Sequence, residues 1–319
     1  MQRHVVRAGD TGGPEALSVE QMPVEDLVGG QVRVSVSFAG VNFWDVMQRR
    51  GDVPLPADRV PGVEGTGTVI AVGEGVPASL VGQRVAWSRV QSSYSDIVQG
   101  PQGSFLPVPG EVSDEVAAGC LMQGITAQYL ATSTTHLEAG QSAVVTACAG
   151  GVGRLLTQFL QMRGVRVIGV VGDRSKLVGS RADDTVVSPS APSSAVRDLV
   201  PTGVDAVFDA SGDAIPPLLQ MLRPRGICVI YGSASGDVQS VPLAALSSGS
   251  FYLTRTAGRD YAAAPDEWRT RADAVMTAVS SGQLRVDITE VVPLSEARSV
   301  HERMEGRRTA GKVILRTRD

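Results

Sequence analysis

Cysteine is scarce in this sequence. Cys120, Cys148 and Cys228 are too few and too widely spaced for a disulfide framework or a zinc knuckle, and their odd number suits a reducing compartment. His4, His136 and His301 are equally scattered, at no metal-ligand spacing. Aromatic residues make up only 4% of the chain, none interleaved with a basic stripe, and a net charge of -4 offers no field to draw nucleic acid. No apolar run reaches the roughly 18 residues that cross a bilayer, and the opening MQRHVVRAGDTGG lacks the apolar core of a secretory signal. A cytoplasmic location is therefore expected, with no membrane or nucleic-acid partner. Lysine is the most informative shortage, because of 29 basic residues only Lys176 and Lys312 are lysines. A compact ammonium differs from a planar guanidinium, so these two positions are candidates for specific tasks.

What remains is an ordinary globular composition, 43% hydrophobic and 19% charged over 319 residues, enough for two modest domains or one large one. The first 110 residues read as short strands and turns. In QVRVSVSFAGV, Val32, Val34, Val36 and Phe38 alternate with Arg33, Ser35 and Ser37, the period of a half-buried strand. PGVEGTGTVIAVGEGV, GQRVAWS, SYSDIVQG and GSFLPVP continue a mainly β region. After Pro109 the pattern changes. Ser113 is placed to cap a helix with Asp114 and Glu115 in its first turn. Strands then alternate with helices through SAVVTA, VRVIGVV, DTVV, VDAVFDAS and GICVIYGS, which predicts a parallel sheet covered by helices. Helical and strand segments close the chain at PDEWRTRADAVMTAVSSGQL, VDITEVVPL, SEARSVHERMEG and KVILR.

The chemistry centres on VVTACAGGVGRLLTQF. A strand ending at Thr146 is followed by small residues and by Gly150, Gly151 and Gly153 at the start of a helix. A dinucleotide pyrophosphate needs such a tight turn, a bare backbone and free N–H groups at a helix N-terminus. Ala147 stands where a first glycine of G-x-G-x-x-G is expected, yet the strand, helix, strand context favours binding over mere close packing. The next strand ends at Gly172 and is followed by Asp173, Arg174, Ser175 and Lys176. A carboxylate there suits the ribose hydroxyls of NADH, whereas cations suit the 2'-phosphate of NADPH. Two cations and a hydroxyl outweigh one carboxylate that can turn to solvent, which favours NADPH.

AGVNFWDVMQRRG, GVEGTGTVIAVGEGV, LMQGITAQYL, ACAGGVGRLLTQF, VIGVVGDRSK, GSFYLTR and TAGKVIL occur in an order that resembles zinc-independent medium-chain dehydrogenases/reductases, specifically quinone oxidoreductases of the zeta-crystallin type. The resemblance covers nearly the whole chain. It implies an α/β fold in which a GroES-like β domain (1–120) precedes a Rossmann doubly wound parallel-sheet domain (121–255), with residues 256–319 returning to the first domain. It also implies NADPH-dependent reduction of a small quinone or enone by a homodimer. By the same resemblance Asn42 lies beside the nicotinamide, Thr126 contacts the cofactor, and Gly150, Gly151 and Val152 form the pyrophosphate loop. Gly172 and Lys176 fall at the adenosine phosphate, where the residue reading adds Arg174 and Ser175, Lys312 falls near the nicotinamide end, and Gly232 is a further candidate cofactor contact. Arg255 and Tyr261 are candidate polar groups for the substrate, while Tyr94 is assigned to packing the β domain.

Zinc-dependent members of the superfamily carry Cys and His ligands where this chain has Asn42 and Val63, leaving Glu64 alone, so no metal is expected. A metal-free site suits acceptors that are already electrophilic. Met47 and Val53 replace tyrosines common at the active-site mouth, which predicts a more apolar pocket, and Ser188 or Pro189 stands where a tyrosine often stacks near the cofactor. Two other readings stay open: an enoyl or ene reductase tailoring a polyketide-like secondary metabolite, and a crystallin-type or RNA-binding-type nucleotide binder with little catalysis.

Overall fold

The computed structural model describes residues 1–188, 192–212, 215–232, 240–306 and 308–318; Pro189 lies outside them. The chain divides into two compact units, Met1–Gln123 with Ala272–Asp319, and Gly124–Arg271.

The first unit opens with an antiparallel pair, β1 (Gln2–Ala8) and β2 (Leu17–Pro23). β3 (Gln31–Gly40) follows, with Val32, Val34 and Val36 each buried to 2% exposure or less, as the alternation predicts. Next come α1 (Phe43–Arg50), β4 (Glu64–Val72), β5 (Arg84–Trp87), β6 (Ile97–Pro101) and β7 (Leu106–Pro107). α2 (Asp114–Ser133) begins where the Ser113 hydroxyl accepts the Val116 N–H at 3.3 Å, the cap expected there.

In the second unit the alternation is β8 (Ser142–Thr146), α3 (Gly151–Met162), β9 (Arg166–Val171), β10 (Asp184–Val187), α4 (Ser193–Leu199), β11 (Val204–Asp209), α5 (Ile215–Leu219), β12 (Leu222–Ile230), α6 (Ala244–Ser247), β13 (Tyr252–Arg255) and α7 (Gly258–Ala262). The chain closes with α8 (Pro265–Ser280), β14 (Ile288–Pro293), α9 (Ala297–Glu305) and β15 (Lys312–Arg316).

The sheet of the first unit runs β14-β15-β3-β4-β5-β7, with β6 also on β3. β15 pairs antiparallel with β3, placing Ile314 opposite Gly40, so the last strand lies beside the loop that leads into α1. The sheet of the second unit is parallel, in the order β10-β9-β8-β11-β12-β13. Its central strand shows no exposure at Ala143, Val144 or Val145, the continuous apolar run of a strand covered on both faces. Strand order reverses between β8 and β11. In an open parallel sheet that reversal leaves a crevice at the carboxyl ends of the strands, where ligands bind.

The second unit extends to Arg271, beyond the 255 expected from sequence. Side chains explain the extension. Tyr261 stacks on Tyr129 of α2 with ring centroids 4.5 Å apart, and Arg271 donates to Gln128 Oε1 at 2.6 Å and Ser133 Oγ at 3.1 Å. These contacts hold 256–271 to the helix that opens the unit, and no sequence period announces them.

Candidate functional site

In the second unit the small-residue loop sits where the topology requires it, between β8 and α3. Ala147 adopts φ +49°, the left-handed region that the first glycine of such loops usually serves, so a methyl group is tolerated there at some conformational cost. Gly150 caps α3 with extended backbone. Gly153 is required by packing, since a Cβ there would stand 2.4 Å from the Ala147 carbonyl oxygen and 2.8 Å from Cys148 Cα. These are backbone atoms and cannot swing aside. Gly153→Ala is therefore expected to cost about 1–3 kcal/mol as α3 is pushed off the strand, read as a lower urea midpoint; an unchanged midpoint would show that the loop has slack.

A half-buried polar bridge joins two strands at the carboxyl end of the sheet. Thr146 Oγ1 donates to Asp209 Oδ1 at 2.7 Å, linking the last residues of β8 and β11 across the strand-order reversal. Asp209 Oδ2 accepts the N–H groups of Ser211 (3.0 Å) and Gly212 (2.6 Å). Sequence reading missed this pair; the available signal was a polar residue at the last position of each of two otherwise apolar strands. Gly232 packs at the same end of the sheet, where a Cβ would meet the Ala210 carbonyl oxygen at 2.1 Å.

Beyond β9, Gly172 is exposed with nothing within 4 Å of a would-be Cβ. Asp173 does not simply face solvent: its carboxylate accepts the Ser175 N–H at 2.7 Å and caps the 3₁₀ turn Arg174–Gly179. The Ser175 hydrogen bonds hold its carboxyl below the usual range, helped by the Lys176 ammonium. Arg174 and Ser175 are exposed and Lys176 half-buried, so the turn presents cations while its one carboxylate is occupied. Thr126 is half-buried on α2, Arg255 ends β13 exposed, and Tyr261 lies in α7 on the Tyr129 ring.

In the first unit the structure brings together residues that the sequence keeps far apart. Asn42 precedes α1 and is 4% exposed. Its Oδ1 accepts from Lys312 Nζ at 2.9 Å and its Nδ2 donates to Glu64 Oε2 at 2.9 Å. Lys312 Nζ also meets Glu64 Oε2 at 2.6 Å, and Glu64 Oε1 accepts the Met122 N–H at 2.7 Å. An ammonium only donates and a carboxylate only accepts, so this pair fixes which way the Asn42 amide points. Its second N–H donates to none of the described residues. Lys312 and Glu64 are 2% and 0% exposed as side chains. The ammonium expected at a cofactor position is thus buried against Glu64 and Asn42, and Glu64, the one acidic group left at this spot, is already paired.

Behind Asn42 runs a second buried chain. Asp45 Oδ2 accepts the Asn42 backbone N–H at 2.8 Å, the reach-back of a capping residue three positions into α1. It also accepts the Tyr94 hydroxyl at 3.1 Å, whose oxygen lies 3.0 Å from His301 Nε2. With Asp45 ionised the phenol gives its proton to the carboxylate and a neutral His301 donates from Nε2; His301 Nδ1 has no hydrogen-bond partner among the described residues. Burial pushes the Asp45 carboxyl up to about 7 against the partial relief of its hydrogen bonds and Lys312. Burial, then the Arg49 guanidinium, brings His301 down to about 3. Tyr94 and Cys120 are likewise raised by burial, then by the Asp45 and Glu64 carboxylates respectively. Tyr94 does pack the β unit, but it also carries this chain. The N-x-x-D spacing of Asn42 and Asp45 is a capping pattern but too short by itself to announce α1; nothing in sequence points to His301.

A mainly antiparallel sheet followed along the chain by a parallel sheet with a glycine loop at its reversal point is the build of a medium-chain dehydrogenase/reductase. Residues 29–141 match the alcohol dehydrogenase GroES-like domain and residues 176–315 the zinc-binding dehydrogenase family. The quinone oxidoreductase of Pseudomonas aeruginosa is 33% identical over 95% of this chain and 96% of its own. A 2-haloacrylate reductase of Burkholderia is 33% identical over the same shares. Among solved structures, a mycobacterial protein complexed with NADPH superposes with a TM-score of 0.92 at 34% identity, covering 98% of this chain and 100% of that one. The chain belongs to the quinone oxidoreductase family of zinc-independent medium-chain dehydrogenases/reductases. No helix among the described residues is long and apolar enough to cross a membrane, and no group of three or more His, Cys, Asp or Glu side chains among them is placed to hold a metal ion.

Proposed function

We propose that this protein is an NADPH-dependent, zinc-free oxidoreductase that reduces quinones or α,β-unsaturated carbonyl compounds by hydride transfer. The observation that carries the reading is the loop Ala147–Gly153 at the strand-order reversal, where a side chain at Gly153 would collide with backbone and the N-terminus of α3 stands ready for a pyrophosphate. Gly150, Gly151 and Val152 line that anion site. Gly172, Arg174, Ser175 and Lys176 take the 2'-phosphate, with Thr126 and Gly232 completing the nucleotide contacts. When bound, NADPH supplies a hydride from C4 of its nicotinamide. Asn42, its amide held by Lys312 and Glu64, turns its remaining N–H to the acceptor oxygen on which the electron pair collects, and solvent returns the proton. Lys312 acts through Asn42. Arg255 and Tyr261 give the substrate polar contacts.

The 2-haloacrylate reductase relative supports an activated C=C as acceptor, which keeps an ene reduction in secondary metabolism as the second reading. A homodimer is supported by β13, which ends the parallel sheet with Tyr252 62% exposed, an edge suited to pairing with a second copy. A cytoplasmic location is supported by three free, buried cysteines.

Fluorescence of bound NADPH, followed by its oxidation with and without 1,4-benzoquinone, tests the proposal; binding without acceptor-dependent turnover would leave a nucleotide binder and no quinone reductase. Lys176→Ala should raise KM for NADPH about tenfold, as loss of a hydrogen bond to a charged group does, with little change for NADH. Equal losses for both would remove the phosphate assignment.

A further inference from the structure

Arg154 is a cation in an unfavourable place. It lies in the first turn of α3, where the helix dipole opposes positive charge, and it is only 8% exposed. An apolar side chain would fill this space without either cost. The guanidinium spans two segments. Nε donates to the Ala149 carbonyl oxygen in the glycine loop at 2.9 Å. Its far end lies against Gly179, where a Cβ would stand 2.1 Å from Nη2 and 3.1 Å from Cζ. Gly179 is the last residue of the 3₁₀ turn that carries Arg174, Ser175 and Lys176. One planar group thus touches both the pyrophosphate loop and the end of the cationic turn, and a rigid fork holds such a spacing better than a flexible stem.

We infer that Arg154 is a positioning residue that sets the spacing between the Ala147–Gly150 loop and the Arg174–Gly179 turn, and so selects the dinucleotide bearing a 2'-phosphate. Both dinucleotides place a pyrophosphate at the loop and a ribose at the turn, but only NADPH adds a 2'-phosphate whose fit depends on where the turn's cations stand relative to the loop. The inference rests on the nucleotide reading proposed above. Gly179 is part of the same device, because any larger residue there displaces the guanidinium.

The test is the dissociation constant for NADPH and for NADH, measured by fluorescence titration on the full chain and on Arg154→Leu, Arg154→Lys and Gly179→Ala. Arg154→Leu should weaken NADPH about tenfold and NADH less than twofold. Gly179→Ala should move the ratio the same way, and Arg154→Lys should recover part of it. In the double variant with Lys176→Ala the losses should fall short of additive, since both act on one phosphate. A selectivity ratio unchanged in both Arg154→Leu and Gly179→Ala, or equal losses for the two nucleotides, overturns the inference while leaving the nucleotide reading intact. An unmodified protein that binds NADPH no better than NADH overturns both. Should Arg154→Leu fail to fold, Gly179→Ala and Arg154→Lys decide the matter.

Discussion

Lys312→Met is expected to destabilise the protein by about 3–5 kcal/mol, the cost of leaving one member of a buried ion pair without its partner. Glu64 shows no exposure and would keep its Asn42 and Met122 hydrogen bonds but lose the ammonium 2.6 Å away. The loss is read as a lower urea midpoint. Adding Glu64→Gln should recover much of the loss, because it removes the unpaired buried charge, and once the Asn42 amide turns over the new amide donates to Asn42 Oδ1 while its oxygen keeps the Met122 N–H. Activity discriminates further. If Lys312 works by orienting Asn42, turnover falls while the NADPH dissociation constant holds. A weakened NADPH affinity with normal turnover would instead return Lys312 to the direct cofactor contact that the family resemblance implies.

Asp45→Asn should uncover a steep acid dependence that the natural protein hides. Folded Asp45 keeps its proton up to about 7 against an ordinary 3.8, so by itself it makes stability fall as pH rises across that window. Folded His301 stays neutral down to about 3 against an ordinary 6.5, so by itself it makes stability fall as pH drops below 6.5. Between the two ordinary values the folded protein holds one proton on Asp45 and the unfolded chain holds one on the histidine, so the contributions cancel. Removing the carboxyl leaves His301 unopposed. The variant should lose about 1.4 kcal/mol per pH unit on acidification, roughly 3 kcal/mol from pH 6.5 to 4, relative to the parent. His301→Gln should show the opposite slope, gaining stability on acidification. Urea unfolding at several pH values reads this directly; curves for Asp45→Asn and parent that run parallel would mean that the buried chain does not hold its proton where the geometry puts it.

The fold was legible wherever one residue period dominated. β3 could be read from alternating valines, β8 from its unbroken apolar run, and α2 from Ser113 followed by acidic residues. The β1–β2 pair and α1 were not, although Asn42 and Asp45 carry a capping spacing. Both depend on contacts outside their own segment. The glycine loop was legible because its requirements are local, a turn and a helix start within eight residues, and even the left-handed Ala147 falls where a glycine was expected.

The sequence by itself determined the alternation of strands and helices after Pro109, the glycine loop and the cations that follow β9, since each follows from backbone sterics and periodicity over a few neighbouring residues. Only the tertiary structure decided that Lys312 meets Glu64 and Asn42, that Asp45, Tyr94 and His301 form one buried chain, and that Arg154 reaches Gly179. Those pairings are made by strand register and helix packing between segments up to 270 residues apart, and a buried charge finds its partner by proximity in space, which no local pattern encodes.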